Sequence, residues 1–273
     1  MTRSRLKIQR IGDREQGVSF CPARGGLITG IQIAGRQILY MNWRSFHDLS
    51  RNVRGGIPVM FPNAGPITGS DYPELPQHGF ARKCGDWDIA QENDSRVLMT
   101  LFGAEIPLKF WDSYPSLLFK LTLGARLEPE GGVTVFQGVE NLSEDGRLPI
   151  SMGLHPYHPV RHEQKQGIRF DFPGGKEIEA RWKEWANGGT VSVPNPTCDG
   201  YLEPLRVYIP GLGWLLVTVS AIYQRLWVWS QKRRSFFCFE AAMRDENGLV
   251  ENPGLVPPQT TYGGSIEYNL IPD

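Results

Sequence analysis

Glycine and proline punctuate this chain from end to end. There are 31 Gly and 21 Pro among 273 residues, scattered and not gathered into one linker. Glycine frees the backbone for turns, and proline removes a donor and fixes φ, so long regular elements have little room to form. Between the breaks lie β-type runs such as "RVLMTLFG", "WLLVTVS", "RLWVWSQ", "SFFCFEAA" and "GSIEYNLI". Several alternate apolar and polar residues, the period-2 pattern of a half-buried strand. "FKLTLGARLEPEGGVTVFQGVE" predicts a long hairpin turning at "EPEGG", and "IQIAGRQILY" a tighter one. Only "KEIEARWKEWANGG" predicts a short helix, ended by Gly188, with Trp182 and Trp185 on one packing face. Without long amphipathic helices between strands, a βαβ fold is disfavoured. The expectation is an all-β chain, with residues 1–273 forming one large sandwich domain and function on loops at an edge or on a concave face.

Charge narrows the partners. Lys plus Arg equals Asp plus Glu at 29 each, which argues against a dedicated nucleic-acid binder. The run Lys232-Arg233-Arg234 lies between two apolar stretches and reads as a charged hairpin turn. The cysteines Cys21, Cys84, Cys198 and Cys238 form no CxxC pair, so neither a zinc ribbon nor a redox dithiol is expected. The basic N-terminus has no apolar h-region, and "GLGWLLVTVSAIY" is too short to span a bilayer. A cytoplasmic protein without a membrane partner, a monomer or weak dimer, is expected. Dinucleotide, P-loop, zinc-protease and serine-hydrolase motifs are absent, so no cofactor is expected.

Several loops hold residues able to do chemistry. "RNVRGGIPVMFPNAGP", residues 51–66, is a stiff irregular stretch that presents Arg54 and Asn63. His78 sits in "LPQHGFAR" and His155 in "GLHPYHP", both framed by Gly and Pro. His158 and His162 follow His155, which raises a metal cluster. The prolines break the register that would stack the three, and no cysteine or carboxylate shows ligand spacing, so no metal is expected. Glu240, in "SFFCFEAAM", is either an outward-facing strand residue or a partly buried functional one. Asp199, in "PTCDGYL", is either a turn residue or a ligand contact.

"VRGGIPVMFPNAGP", "QHGFAR", "GLHPYH", "CDGYL" and "FFCFEAAM" occur in this order at wide spacings. Together they resemble the aldose 1-epimerase (galactose mutarotase-like) family, nearest the branch with glucose-6-phosphate 1-epimerases and related bacterial sugar mutarotases. The likeness runs from about Gly25 to Leu270. It implies a galactose mutarotase-like β-supersandwich with an open cleft on a concave sheet. It also implies His155 as general acid and Glu240 as general base, with His78 and Asp199 on sugar hydroxyls. Arg54 and Arg82 would hold the phosphate of a sugar phosphate.

Mutarotation needs such a pair, because a base takes the C1 hydroxyl proton while an acid protonates the ring oxygen. Asn63 is a further candidate for a hydroxyl contact, and Trp43, Tyr157 or Trp229 for stacking on the sugar's C–H face. The implied partner is a small sugar or sugar phosphate. The alternative is a non-catalytic carbohydrate-binding protein on the same fold.

Overall fold

A computed structural model describes residues 6–69, 72 and 75–273. The chain is built from antiparallel sheets, as its alternation predicts. The largest has eight strands, in the spatial order Arg169–Asp171, Leu205–Ile209, Gly213–Val219, Thr261–Pro272, Val133–Asn141, Phe119–Leu127, Arg96–Phe102 and Asp88–Asn93. The long hairpin is the pair Phe119–Leu127 and Val133–Asn141, closed where Glu128 N–H donates to Gly132 O at 2.8 Å. The tighter one turns at Ala34 and Gly35, whose φ of +49° and +68° give the twist that two-residue hairpins favour. The short helix is two pieces, Gly175–Ala180 and Trp182–Trp185, with Trp185 buried and Trp182 half-buried.

A second, six-stranded sheet positions the candidate site. Its middle strand, Phe236–Ala242, lies between Arg225–Trp229 on one side and the short strands Gly153–Leu154 and Tyr157–Pro159 on the other. Val59–Met60 pairs outside Gly153–Leu154. Period-2 alternation turns Phe237, Phe239 and Ala241 into the main apolar core. Phe239 meets Phe170 of the larger sheet there, with ring centroids 6.0 Å apart. Cys238 and Glu240 therefore face the opposite side. That face is buried too, because all seven residues of the strand are buried.

Loops form the roof over this second face, and their backbone is tied down. Arg24 donates to four carbonyls, those of Phe46, Ser45, Asp48 and Arg51, at 2.8–3.1 Å. His155 N–H donates to Pro58 O at 3.1 Å, and Ser151 N–H to Pro62 O at 2.7 Å. Gly79 is the tightest approach. Its φ is +69°, and a Cβ there would lie 1.9 Å from the Phe61 carbonyl oxygen. Only glycine fits.

Gly79→Ala is therefore expected to cost about 2–4 kcal/mol, from left-handed strain plus overlap with fixed backbone. Gly131→Ala, at φ +95° but with nothing within 4 Å of its Cβ, should cost only about 1 kcal/mol. Urea unfolding midpoints would test this; equal losses would refute the steric explanation.

Candidate active site

Strand pairing brings Glu240 and His155 together across 85 residues of chain. Gly153–Leu154 pairs with Ala241 and Ala242, so His155 emerges beside Glu240. His155 Nε2 lies 3.5 Å from Glu240 Oε1, and both side chains are buried. The imidazole stacks on Tyr157, with centroids 4.7 Å apart and planes 4° from parallel. His78 meets it edge-on at 5.1 Å. The φ of +64° at His78 aims its ring inward, and its Nδ1–H donates to the Ala64 carbonyl. That bond leaves Nε2 of His78 as an acceptor.

Glu240, His155 and His78 line a cavity of about 240 Å³ with Arg54, Arg82, Trp227 and Trp229, and with Glu246 at its exposed edge. Arg54 Nη1 is 3.5 Å from the Tyr157 hydroxyl, and its guanidinium lies 5.3 Å from the Trp229 ring centroid. Arg82 Nη2 donates to Gln77 O at 2.8 Å. Neither arginine forms an ion pair among the described residues. Two cations thus face the cavity with their charge unspent.

Burial dominates the protonation of the site. It pushes Glu240 up to about 8, against the pull of Arg82 and Arg54. It holds His155 well below the ordinary histidine range, with His78, Arg82 and Arg54 acting in the same direction. His78 is lowered to about 3, by burial first and then Arg82. These shifts favour the uncharged forms, a protonated Glu240 carboxyl beside neutral His155 and His78 rings. Glu240 Oε2, His155 Nδ1, Trp227 Nε1 and Arg82 Nε are buried without a hydrogen-bond partner among the described residues. Such groups are costly unless a ligand completes them.

Five of the seven residues singled out from sequence converge here: His155, Glu240, His78, Arg54 and Arg82. Asp199 does not. It closes the turn Pro196–Asp199, is exposed, and is followed by Gly200 at φ +85°, as its Asp-Gly turn pattern allows. Asn63 does not line the cavity either. It is buried beneath the roof and donates from Nδ2 to Gly65 O at 2.6 Å and Pro76 O at 3.2 Å, tying together the loops that carry His78. Trp43 is 49% exposed and outside the cavity, whereas Trp229 lines it and Tyr157 lies beneath His155.

The three histidines considered for a metal diverge. His158 donates from Nδ1 to Ile38 O at 3.0 Å, and His162 is exposed. Strand pairing does, however, supply the cysteine and carboxylate that linear spacing concealed. His155, Cys238 and Glu240 offer ligand atoms within 4.8 Å of one another. Burial holds the Cys238 thiol well above its ordinary range, and metals bind the thiolate.

Sequence reasoning also missed Trp227 and Glu246. Trp227 is the cross-strand partner of Glu240. The i, i+2 pair Trp227 and Trp229 in "RLWVWSQ" announced a shared face, but nothing local said which face bore the cavity. Glu246 follows Asp245, which anchors the bend by accepting from Ser192 Oγ at 2.6 Å and Arg225 Nε at 2.9 Å.

Comparison with known proteins gives a consistent picture. A model of the aldose 1-epimerase family matches residues 14–200. A Cenchrus ciliaris protein, provisionally named a glucose-6-phosphate 1-epimerase, is 29% identical over 265 residues, covering 87% of this chain and 76% of that protein. A crystal structure of a protein from Synechocystis sp. PCC 6803 superposes with a TM-score of 0.82 at 25% identity, covering 100% of this chain and 98% of the other. A galactose mutarotase related enzyme from Lactobacillus acidophilus shares the fold, with a TM-score of 0.69, 14% identity and 97% of each chain covered. Among the described residues no helix is long and apolar enough to cross a membrane.

The raised Glu240 has a stability consequence. Its folded value lies above the ordinary carboxyl value, so its contribution is fully present below about 4.5 and is lost as pH rises through about 8. Glu240→Gln removes that loss. Its melting temperature should exceed the wild type's by at least ~2 °C near about pH 8.5, with the gap narrowing toward about pH 5. Calorimetric melts at both pH values would show it; a pH-independent gap would contradict a Glu240 that is protonated at neutral pH.

Proposed function

Because the chain belongs to the aldose 1-epimerase family, we propose that it interconverts the α and β anomers of a hexose 6-phosphate, with Glu240 and His155 as its acid–base pair. The observation that carries the reading is the buried 3.5 Å contact between His155 Nε2 and Glu240 Oε1 in a cavity faced by two arginines that form no ion pair among the described residues. A pure binding site has no use for a proton-sharing pair held this close.

Ring opening removes a proton from the C1 hydroxyl and delivers one to O5 as the C1–O5 bond breaks. Rotation about C1–C2 and reclosure then invert the anomer, with the two roles exchanged. The pair carries the single proton this needs. Moving it from Glu240 to His155 Nε2 creates a carboxylate base and an imidazolium acid without changing net charge. The parallel Tyr157 ring stabilises the imidazolium face-on. Each positioned group contributes roughly 10²–10⁴-fold in rate. The chemistry calls for no redox or group-carrying cofactor.

His78 Nε2 and Trp227 Nε1 suit the sugar hydroxyls as acceptor and donor, and Trp229 its C–H face. Arg54 and Arg82 suit a phosphate dianion, which takes planar guanidinium forks in pairs. Carboxylate pairing would have made them ordinary surface cations, and neither has such a partner among the described residues.

Anomer exchange measured by saturation-transfer NMR tests the proposal. Wild-type protein should accelerate exchange of glucose 6-phosphate, and Glu240→Gln should lose roughly 10²–10⁴-fold while binding survives. No acceleration of glucose, galactose or glucose 6-phosphate would instead favour the non-catalytic sugar binder. Arg54→Gln or Arg82→Gln should raise KM for glucose 6-phosphate about tenfold or more, and spare exchange of neutral glucose.

The pH profile gives a separate check. Above about pH 7 the substrate phosphate is fully ionised, so a fall reports the enzyme. kcat/KM should hold to about pH 8 and then drop about tenfold per unit as Glu240 surrenders the shared proton. A decline centred near 6.5 would assign the proton to an ordinary histidine instead.

A further inference from the structure

We propose that the protein carries a second anion subsite, next to the Arg54–Arg82 clamp, that takes the second phosphoryl group of a diphosphate. The inference rests on reading Arg54 and Arg82 as that clamp. A separate cavity of about 600 Å³ adjoins the candidate active site and shares Asn52 and Arg54 with it. Its cations are Arg44, Arg51, Arg54, Lys83 and Arg234, against a single carboxylate, Asp48. Asp48 is already committed. Its Oδ2 pairs with Arg51 Nε at 3.1 Å, and its Oδ1 accepts from Ser50 N at 3.1 Å and Ser50 Oγ at 2.6 Å. Arg44, Lys83 and Arg234 form no ion pair among the described residues.

In a chain with 29 cationic and 29 acidic residues, this is a strongly one-sided cavity. A concave wall of one sign focuses its field on a counter-ion, whereas the same charges spread over a convex face would be screened by water and salt. The wall is also held in shape. Asn42 Oδ1 accepts from Ser45 N–H at 3.0 Å and starts the short helix Trp43–His47 that bears Arg44. The four Arg24 bonds fix the carbonyls that follow. Arg234 reaches in from the Lys232-Arg233-Arg234 turn, whose charge the active-site chemistry leaves unused.

The shared arginine selects the ligand. One guanidinium on the border of two cavities can contact two phosphoryl groups only if they lie close together. The halves of a diphosphate, joined through one bridging oxygen, do. The first group would occupy the Arg54–Arg82 clamp and the second the cations beyond it.

Isothermal titration at constant ionic strength, with inorganic phosphate and inorganic pyrophosphate as probes, tests this without turnover. Wild-type protein should bind pyrophosphate about tenfold tighter than phosphate or better, the scale of one added charge-assisted contact. Arg44→Gln/Arg234→Gln should bring that ratio to about one to two. Lys232→Gln/Arg233→Gln, which removes two cations of the same turn outside the lining, should keep it. Equal affinities in the wild type, a ratio kept by the first variant, one lost in the second, or no binding of either anion would each overturn the proposal. An intact pattern of ratios in a protein inactive on every sugar would reject the epimerase reading and leave this subsite standing.

Discussion

One carboxyl group kept out of water organises the site. Glu240 lies on a strand whose seven residues are all buried. Phe237 and Phe239 hold the strand by packing into the core, and alternation then forces Glu240 to the other face. Loops cover that face, so the carboxyl meets few donors, and its neutral form is favoured. The same dryness keeps His155 and His78 uncharged. The two arginines at the cavity then hold nearly all the positive charge near the pair. The cavity therefore sets fixed cations on one side and a nearly neutral carboxyl–imidazole pair on the other. Both arise from one burial pattern.

The sandwich itself does no chemistry. It supplies a rigid floor, and the roof is made rigid by backbone contacts together with the buried side chains Phe46, Val53, Phe61 and Phe80. Asn63 joins the segments at Gly65 and Pro76. His78 and Gly79 adopt left-handed backbone where the chain passes against the Phe61 carbonyl. Strained backbone of this kind persists only where surroundings over-determine it, and at His78 it sets the angle at which an imidazole enters the cavity. Positioning within fractions of an ångström is what proton transfer requires.

What could be seen in the sequence follows the range of the interactions. Alternation and turn chemistry are local, so the hairpins at "EPEGG" and "IQIAGRQILY" and the broken helix at 175–185 were legible. The Gly/Pro framing of His78 and His155 is local too, and it pointed correctly to constrained loops. Convergence on the cavity is not local. Whether Glu240 faced solvent or a cavity depended on which strands paired with 236–242, and no window around it holds that information. Trp227 and Cys238 stayed hidden for the same reason, since their roles come from register. Asp199 shows the opposite case: its motif order suggested a ligand contact, and the structure places it exposed in its own Asp-Gly turn, outside the cavity lining.

The four Arg24 bonds all end on main-chain carbonyls. They therefore specify a path and are indifferent to the residue types along it. Neutral drift at positions 44–51 can change the lettering of the wall without redrawing its outline. Over long divergence, a lineage holding Arg24 could retune what its cleft admits while inheriting the floor intact.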